Sequence, residues 1–289
     1  MIKTKISRAT LIGLAMVGLL GLAGCQPPPD TYVALGDSYT AGPLIPNQTG
    51  QPYGCLRSDH NYAALSAPNI GVPKFKDVSC SGAQTKDMYA AQNVTFGPNP
   101  PQLDAVTAVD AVVSLGIGGN DIGFSEIIKN CVQLNPLATP CKYTYVHDGR
   151  DEISERIAAT APKVAAVIQS IKTKAPQAKV FVVGYPTILP DTGTGCYPLV
   201  PILPADVPYL RSKEKELNSM LATQAAAKSV QFVNTYTSSI GHDICQAPGT
   251  KWVEGLVPTS PAAPVHPNAA GMANTATVLT AQIRTVLGR

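Results

Sequence analysis

Tyr32 to Gly42 reads YVALGDSYTAG: four apolar residues, Tyr32-Val33-Ala34-Leu35, that stop abruptly at Gly36-Asp37-Ser38. A strand that is apolar throughout, rather than alternating, suits a sheet covered on both faces, as parallel sheets are. Gly, Asp and Ser are turn formers, so the break taken alone is a turn. It becomes a site if other segments bring a base and hydrogen-bond donors to the same strand end. The strand would then deliver the Ser38 hydroxyl to them.

Working outward, further strand-like segments are Phe75–Val78, Ala111–Leu115, Val180–Val183 and Val230–Asn234. They alternate with helix-like segments at Tyr62–Ser66, Asp151–Thr173, Val207–Lys228 and Ala269–Leu287. In the second of these, Ile153, Ile157, Ala161, Val164, Val167 and Ile168 recur every three or four residues and make one apolar face. The third places Leu210, Leu217 and Leu221 on one side, with Arg211, Lys213, Glu214 and Lys215 between them. Alternating strands and helices imply right-handed crossovers, hence an α/β/α sandwich on a parallel central sheet. Ligands of such sheets bind beyond the carboxyl ends of the strands, where Ser38 lies. The proline-rich stretches Pro186–Pro208 and Leu256–Pro267 read as long loops, and there is no internal repeat.

Ahead of this domain, Lys3, Lys5 and Arg8 precede an apolar core from Leu11 to Leu22. That core falls short of the ~20 residues a spanning helix needs and reads as an export signal. Leu22-Ala23-Gly24-Cys25 looks like the lipobox of bacterial lipoproteins. It would make residues 1–24 a signal peptide and Cys25 a lipid-bearing N-terminus that holds the protein to the outer side of the cell membrane. An ordinary signal peptide cut nearby, with a secreted product, is the alternative. Residues 25–30, with Pro27-Pro28-Pro29, would be a short stiff tether, and residues 31–289 one domain. The chain has 22 Lys and Arg against 19 Asp and Glu, and three of the basic residues lie in the signal. The mature domain is therefore near neutral, without the basic surplus a nucleic-acid partner would want. Six cysteines remain besides Cys25. Such an even number in an exported chain suggests disulfides, and the absence of C-x-x-C pairs argues against zinc. Pairing neighbours in sequence, the simplest of the possible arrangements, gives Cys55–Cys80, Cys131–Cys141 and Cys196–Cys245.

Three more segments follow strands or precede the last helix: SCSGAQT (Ser79–Thr85), GIGGND (Gly116–Asp121) and VHPNAAGM (Val265–Met272). Singly, Gly82 is a turn glycine, Asn120 a helix cap and His266 a loop histidine. Together with Ser38 they supply a nucleophile, a base and oxyanion donors, the parts acyl transfer needs. The set resembles the GDSL esterases and lipases, also called SGNH hydrolases. Ser38 stands in GDSY, Gly82 in CSGA, Asn120 in GGND and His266 in HPNAAG. CLRSDHNYAALSA (Cys55–Ala67) and the cysteine spacing are similar to the secreted actinobacterial lipase/esterase branch. The resemblance implies a flavodoxin-like three-layer fold, Ser38 as nucleophile and His266 as base. It also implies an oxyanion hole of the Ser38 and Gly82 N–H groups with the Asn120 side chain, and no metal or organic cofactor.

One departure stands out. Where many members carry Asp three residues before the histidine, this chain has Ala263, and no carboxylate lies between Glu254 and His266. A backbone carbonyl can orient the imidazole instead, giving a Ser–His dyad. The Ala263 carbonyl and the Glu254 carboxylate are the two candidates. Other motifs fail. There is no G-x-S-x-G elbow and no phosphate-binding G-x-x-x-x-G-K-[ST], and Asp121 stands where a dinucleotide fingerprint needs its third glycine. His60, His147 and His242 read as surface or loop residues; Trp252 reads as core, or as packing near an acyl pocket. The reading is a monomeric serine ester hydrolase acting on acyl esters or lipids. Its rivals are an acyltransferase using the same site and a non-catalytic surface lipoprotein that binds lipid or glycan.

Overall fold

The computed structural model describes residues 1–2 and 28–289. Most of the expected signal peptide, Cys25 and the start of the tether lie outside the described residues. In chain order the strands are β1 (Thr31–Gly36), β2 (Lys74–Asp77), β3 (Asp110–Gly116), β4 (Val146–His147), β5 (Arg150–Asp151), β6 (Lys179–Val183) and β7 (Gln231–Val233). The α-helices are α1 (Ser38–Ala41), α2 (Tyr62–Ser66), α3 (Phe124–Cys131), α4 (Lys142–Tyr145), α5 (Glu152–Lys174), α6 (Val207–Ala227), α7 (Thr235–Ser238) and α8 (Ala269–Leu287). Strands β4 and β5 form a small antiparallel hairpin. The other five make one parallel sheet in the order β2-β1-β3-β6-β7. None of the described helices is long and apolar enough to cross a membrane.

Each central strand buries both faces, as its mostly apolar sequence requires. A buried polar exception, Ser114 of β3, shares a hydrogen bond with the Tyr32 hydroxyl at 2.9 Å. Tyr32 and Ala34 of β1, Val112 of β3, and Phe181 and Val183 of β6 pack on one side with Tyr62 of α2 and Met272, Leu279 and Ile283 of α8. Val33, Leu35, Val113, Leu115, Val180 and Val182 point the other way. They meet Ile157, Val164, Val167, Ile168 and Ile171 of α5 and Leu217 and Leu221 of α6. The period of two along the strands thus sorts side chains between two helical layers, the three-layer α/β/α sandwich. Each fully buried Ile, Val or Leu contributes roughly 1.5–3 kcal/mol. That apolar face carries α5 through Pro162, which lacks the N–H of a helix interior.

Two elements differ from the sequence pattern. The second strand, expected at Phe75–Val78, is Lys74–Asp77 and mostly solvent-exposed, unlike the central strands of the sheet. It is an edge strand, and its two lysines discourage pairing with another sheet. Helix α3, directly after GGND, carries no signal in its first residues, because its N-cap is Gly123 without a side-chain bond. Among the described residues the disulfides are Cys55–Cys80, Cys131–Cys141 and Cys196–Cys245, the expected pairing. Cys55–Cys80 fixes the turn that follows β2.

The chain runs from β1 outward to β2, then back across β1 to β3, so the order reverses at the β1/β3 pair. Gly36 and Gly116 are register partners at its carboxyl end. They approach so closely that a Cβ on Gly36, whose φ is +156°, would lie 2.6 Å from the Gly116 carbonyl. Only glycine fits there. The crevice opened by that reversal is where the chemistry-bearing residues gather.

Candidate active site

Ser38 is the first residue of α1, two residues past the β1 terminus. Asp37 caps that turn, its Oδ1 accepting the Tyr39 N–H at 2.9 Å. The Ser38 hydroxyl meets His266 Nε2 at 2.8 Å across 228 residues of sequence. On the far side of the ring, Nδ1 lies 2.8 Å from the Pro264 carbonyl. A carbonyl only accepts, so Nδ1 carries the proton and Nε2 is left to accept from Ser38.

The orienting group is therefore a backbone carbonyl, but not that of Ala263. The Ala263 carbonyl accepts the His266 backbone N–H at 3.2 Å. What turns Pro264 toward the ring is Val265, held at φ +60°, a left-handed conformation that a β-branched residue adopts at a cost of about 1–3 kcal/mol. Its surroundings impose it. The Val265 N–H donates to the Glu254 carbonyl at 3.1 Å, the Glu254 N–H donates to the His266 carbonyl at 2.9 Å, and the Tyr39 hydroxyl donates to the Val265 carbonyl at 2.7 Å. Tyr39 adjoins Ser38, so one side chain ties the serine turn to the histidine loop. Partial burial holds the His266 pKa below the ordinary imidazole value, with the Pro264 carbonyl working the other way.

Glu254 faces away from this pair. It is buried against Lys251, 2.9 Å from its ammonium, and accepts from the Asn268 amide at 2.8 Å and the Thr259 N–H at 2.7 Å. Burial works to raise its pKa, but Asn268, Thr259 and Lys251 outweigh it and hold the carboxyl at about 2. Exchanging Glu254 for Gln is expected to lower kcat only a few-fold and stability by about 2–3 kcal/mol. The stability loss stays below the full cost of a broken buried pair because the amide keeps the Thr259 contact. The sign with pH follows from the depressed pKa. The carboxylate stabilises the fold above its unfolded pKa, and this contribution is lost as pH falls from about 4.3 toward 2. Urea unfolding at pH 7 and pH 3 measures it: the wild type should lose roughly half its advantage over the variant at the lower pH. With no anion facing the imidazole among the described residues, the acid limb of kcat/KM should fall below the reference value of ~6.5. A 10⁴-fold drop in kcat for the Gln variant, the scale of a lost triad acid, would restore Glu254 as the partner.

The donors come from two stitched loops. Gly82 sits in the turn after β2 at φ +79°, which favours glycine. Asn120 follows β3. Its Nδ2 donates to the Ala83 carbonyl at 2.9 Å, and Gln84 Nε2 donates to the Asn120 carbonyl at 2.9 Å. Asp121 accepts the Thr85 N–H at 3.0 Å. One Asn120 amide hydrogen therefore remains unused. The Ser38 and Gly82 N–H groups likewise donate to no protein acceptor among the described residues.

Two further residues belong to this frame. Tyr185, just past β6, donates to Asp37 Oδ2 at 2.6 Å and accepts the Gly119 N–H at 2.7 Å. It thereby locks the serine turn to the glycine loop that carries Asn120. Burial pushes Asp37 up to about 7, against the hydrogen bonds from Tyr185 and Tyr39, while Asp121 adds to the rise.

Ser38, Gly82, Asn120 and His266 all line one cavity of about 240 Å³. Its wall is mostly apolar, with Ile122, Phe124, Ile127, Ile128, Ile153, Ile188, Leu210 and Leu217, and also includes Lys213 and Glu214. Trp252 is not part of it. The indole is half-buried and stacks flat on His242, with ring centroids 3.5 Å apart.

A serine–histidine pair at the reversal of a three-layer sheet, beside unused N–H donors and an apolar cavity, defines an α/β ester hydrolase. Residues 34–273 match the GDSL-like Lipase/Acylhydrolase family, and the chain belongs to that family. It is 36% identical over 285 residues to Lipase 2 of Streptomyces coelicolor, covering 93% of this chain and 94% of that protein. It is 28% identical over 282 residues to an esterase of Streptomyces scabiei, covering 86% and 81%. The crystal structure of the extracellular lipase from Streptomyces rimosus aligns with a TM-score of 0.72 at 27% identity, over 87% of this chain and 98% of that one. Phospholipase A1 from Streptomyces albidoflavus NA297 aligns with a TM-score of 0.69 at 26% identity, over 88% and 99%.

Proposed function

We propose that this ester hydrolase uses a Ser38–His266 dyad to cleave esters with an apolar acyl part. The reading rests chiefly on the 2.8 Å contact from Ser38 Oγ to a histidine nitrogen whose partner nitrogen donates to Pro264. Ser38 attacks the ester carbonyl as His266 Nε2 takes its proton. The oxyanion is held by the Ser38 and Gly82 N–H groups and the spare Asn120 amide hydrogen. His266 then protonates the leaving alcohol. A water, deprotonated by the same nitrogen, releases the acid and regenerates Ser38. A carbonyl stabilises the imidazolium less than a carboxylate would, but it fixes the same tautomer.

The basic segment with Lys3, Lys5 and Arg8, the apolar core and Leu22-Ala23-Gly24-Cys25 support export with a lipid anchor on Cys25. A monomer on the outer face of the membrane, working without metal or cofactor, completes the reading. The apolar cavity supports a lipid or other long-chain ester as substrate. A panel of p-nitrophenyl esters of rising acyl length tests this. kcat/KM should climb from acetyl to medium-chain esters, by up to about tenfold for each two methylenes that enter the cavity. A preference for acetyl that declines with every added methylene would refute the acyl assignment of the cavity.

A further inference from the structure

A second surface lies at the outer end of the site. The loop 132–140 follows α3 and is closed by Cys131–Cys141. The loop 192–205 precedes α6 and is tied down by Cys196–Cys245. Neither contains a charged residue, in a chain where 14% of residues are charged. They are stitched together: Val132 bridges Ile202, the Gln133 N–H donates to the Pro201 carbonyl at 2.7 Å, and the Tyr197 hydroxyl donates to the Leu134 carbonyl at 2.6 Å. From this braced platform Leu134, Leu137 and Leu199 project with 80%, 91% and 76% of their surface in solvent. Such exposure on crosslinked, mutually hydrogen-bonded loops is held in place; the side chains cannot fold inward without breaking the staples.

The flanks carry the complementary charge. Lys129 on α3 and Lys142 on α4 border the first loop, and neither forms an ion pair with a carboxylate among the described residues. Tyr143, beside Lys142, is exposed and sits under its ammonium at 4.9 Å. Apolar tips with an aromatic and free lysines behind them are the composition of a membrane–water interface. The surface is also continuous with the reaction centre. A groove of about 430 Å³ runs from Gly82 and Asn120 along α3, past Glu126, which is paired with Arg156 at 3.3 Å, to Lys129 and Asn130, ending where the first loop begins.

We propose that the loops 132–140 and 192–205 form a docking surface for an anionic phospholipid bilayer, with Leu134, Leu137 and Leu199 entering the acyl layer and the lysines facing the headgroups. The groove along α3 would then open at the membrane. The proposal extends the ester-hydrolase reading, and its primary readout needs no catalysis. The full chain carrying Cys25→Ser, so that no lipid on that residue contributes, is sedimented with vesicles of phosphatidylcholine and phosphatidylglycerol. Combined Leu134→Ser, Leu137→Ser and Leu199→Ser should weaken vesicle partitioning by about tenfold or more, with turnover of a soluble short-chain ester unchanged. Lys129→Glu with Lys142→Glu should abolish the preference for phosphatidylglycerol over phosphatidylcholine alone. A Leu137→Trp variant, which keeps an apolar tip, should show a blue shift in emission on adding vesicles that the Leu137 parent does not. Equal partitioning of the triple variant and its parent would overturn the proposal. So would an unshifted Leu137→Trp spectrum, or a dimer in solution that the serine substitutions dissolve while vesicle binding persists. Loss of soluble-ester turnover in the unsubstituted chain would instead count against the hydrolase reading and leave the partitioning result to stand by itself.

Discussion

Replacing Ser38 with alanine is expected to lower kcat by about 10⁶, the scale of a removed nucleophile, while the protein stays folded. The hydroxyl oxygen is the atom that meets His266 Nε2. Everything that shapes the turn around it is carried by other groups. Asp37 Oδ1 caps Tyr39, and the Gly42 N–H closes α1 on the Ser38 carbonyl. Alanine keeps that backbone and has high helix propensity, so the melting temperature should move by no more than a few degrees. Labelling gives an independent check. A fluorophosphonate should add one adduct to the wild type, on the peptide containing Ser38, and none to the variant. Undiminished esterase activity in a cleanly purified Ser38→Ala protein would remove the residue from its role. An unlabelled wild type would favour the non-catalytic binding lipoprotein.

The same residues show where sequence stops being informative. Strands β1, β3 and β6 are legible because both their faces are buried, which forces apolar runs at Tyr32–Leu35, Ala111–Leu115 (with Ser114 the one polar member) and Val180–Val183. Strand β2 is legible in position to within one residue but not in its exposure, for the complementary reason. At the edge, Lys74 and Lys76 serve solubility rather than packing. Ser38, Gly82, Asn120 and His266 could be gathered from sequence because each follows a strand or precedes a helix, and the fold brings those ends to one edge. The groups that hold them could not. Tyr185 reaches Asp37 across 148 residues, and Tyr39 reaches Val265 across 226. No local pattern records such approaches. The Ala263 expectation fails on a single torsion. With Val265 at φ +60° the chain folds back on itself, and the carbonyl that meets Nδ1 is the next one along. A valine in sequence predicts extended backbone, and only the surrounding hydrogen bonds overrule it.

With Asn120 as the proposed oxyanion donor, Asn120→Ala should lower kcat by about 10²–10³ with little change in KM, because the negative charge such a donor meets exists only in the transition state. The argument turns on hydrogen count. An amide has two N–H bonds, and Ala83 occupies one of them at 2.9 Å. The other is unbonded, on a side chain that lines the same cavity as Ser38 and His266. Alanine removes both, so a loss of activity could arise either from the missing oxyanion donor or from a loosened loop. Gln84→Ala separates the two. It removes the matching staple between the same loops, the Gln84 bond to the Asn120 carbonyl, and leaves the Asn120 side chain in place. If Asn120 acts as a donor, Gln84→Ala should cost less than tenfold in kcat at a similar loss of stability. Asn120→Asp supplies a further contrast, since it is nearly isosteric but places a negative charge toward a developing oxyanion. It should be no better than alanine. A rise in KM with kcat intact would make Asn120 a substrate-binding residue. Equal losses for Gln84→Ala and Asn120→Ala would reduce its role to holding the loop, and would leave the oxyanion to the Ser38 and Gly82 N–H groups alone.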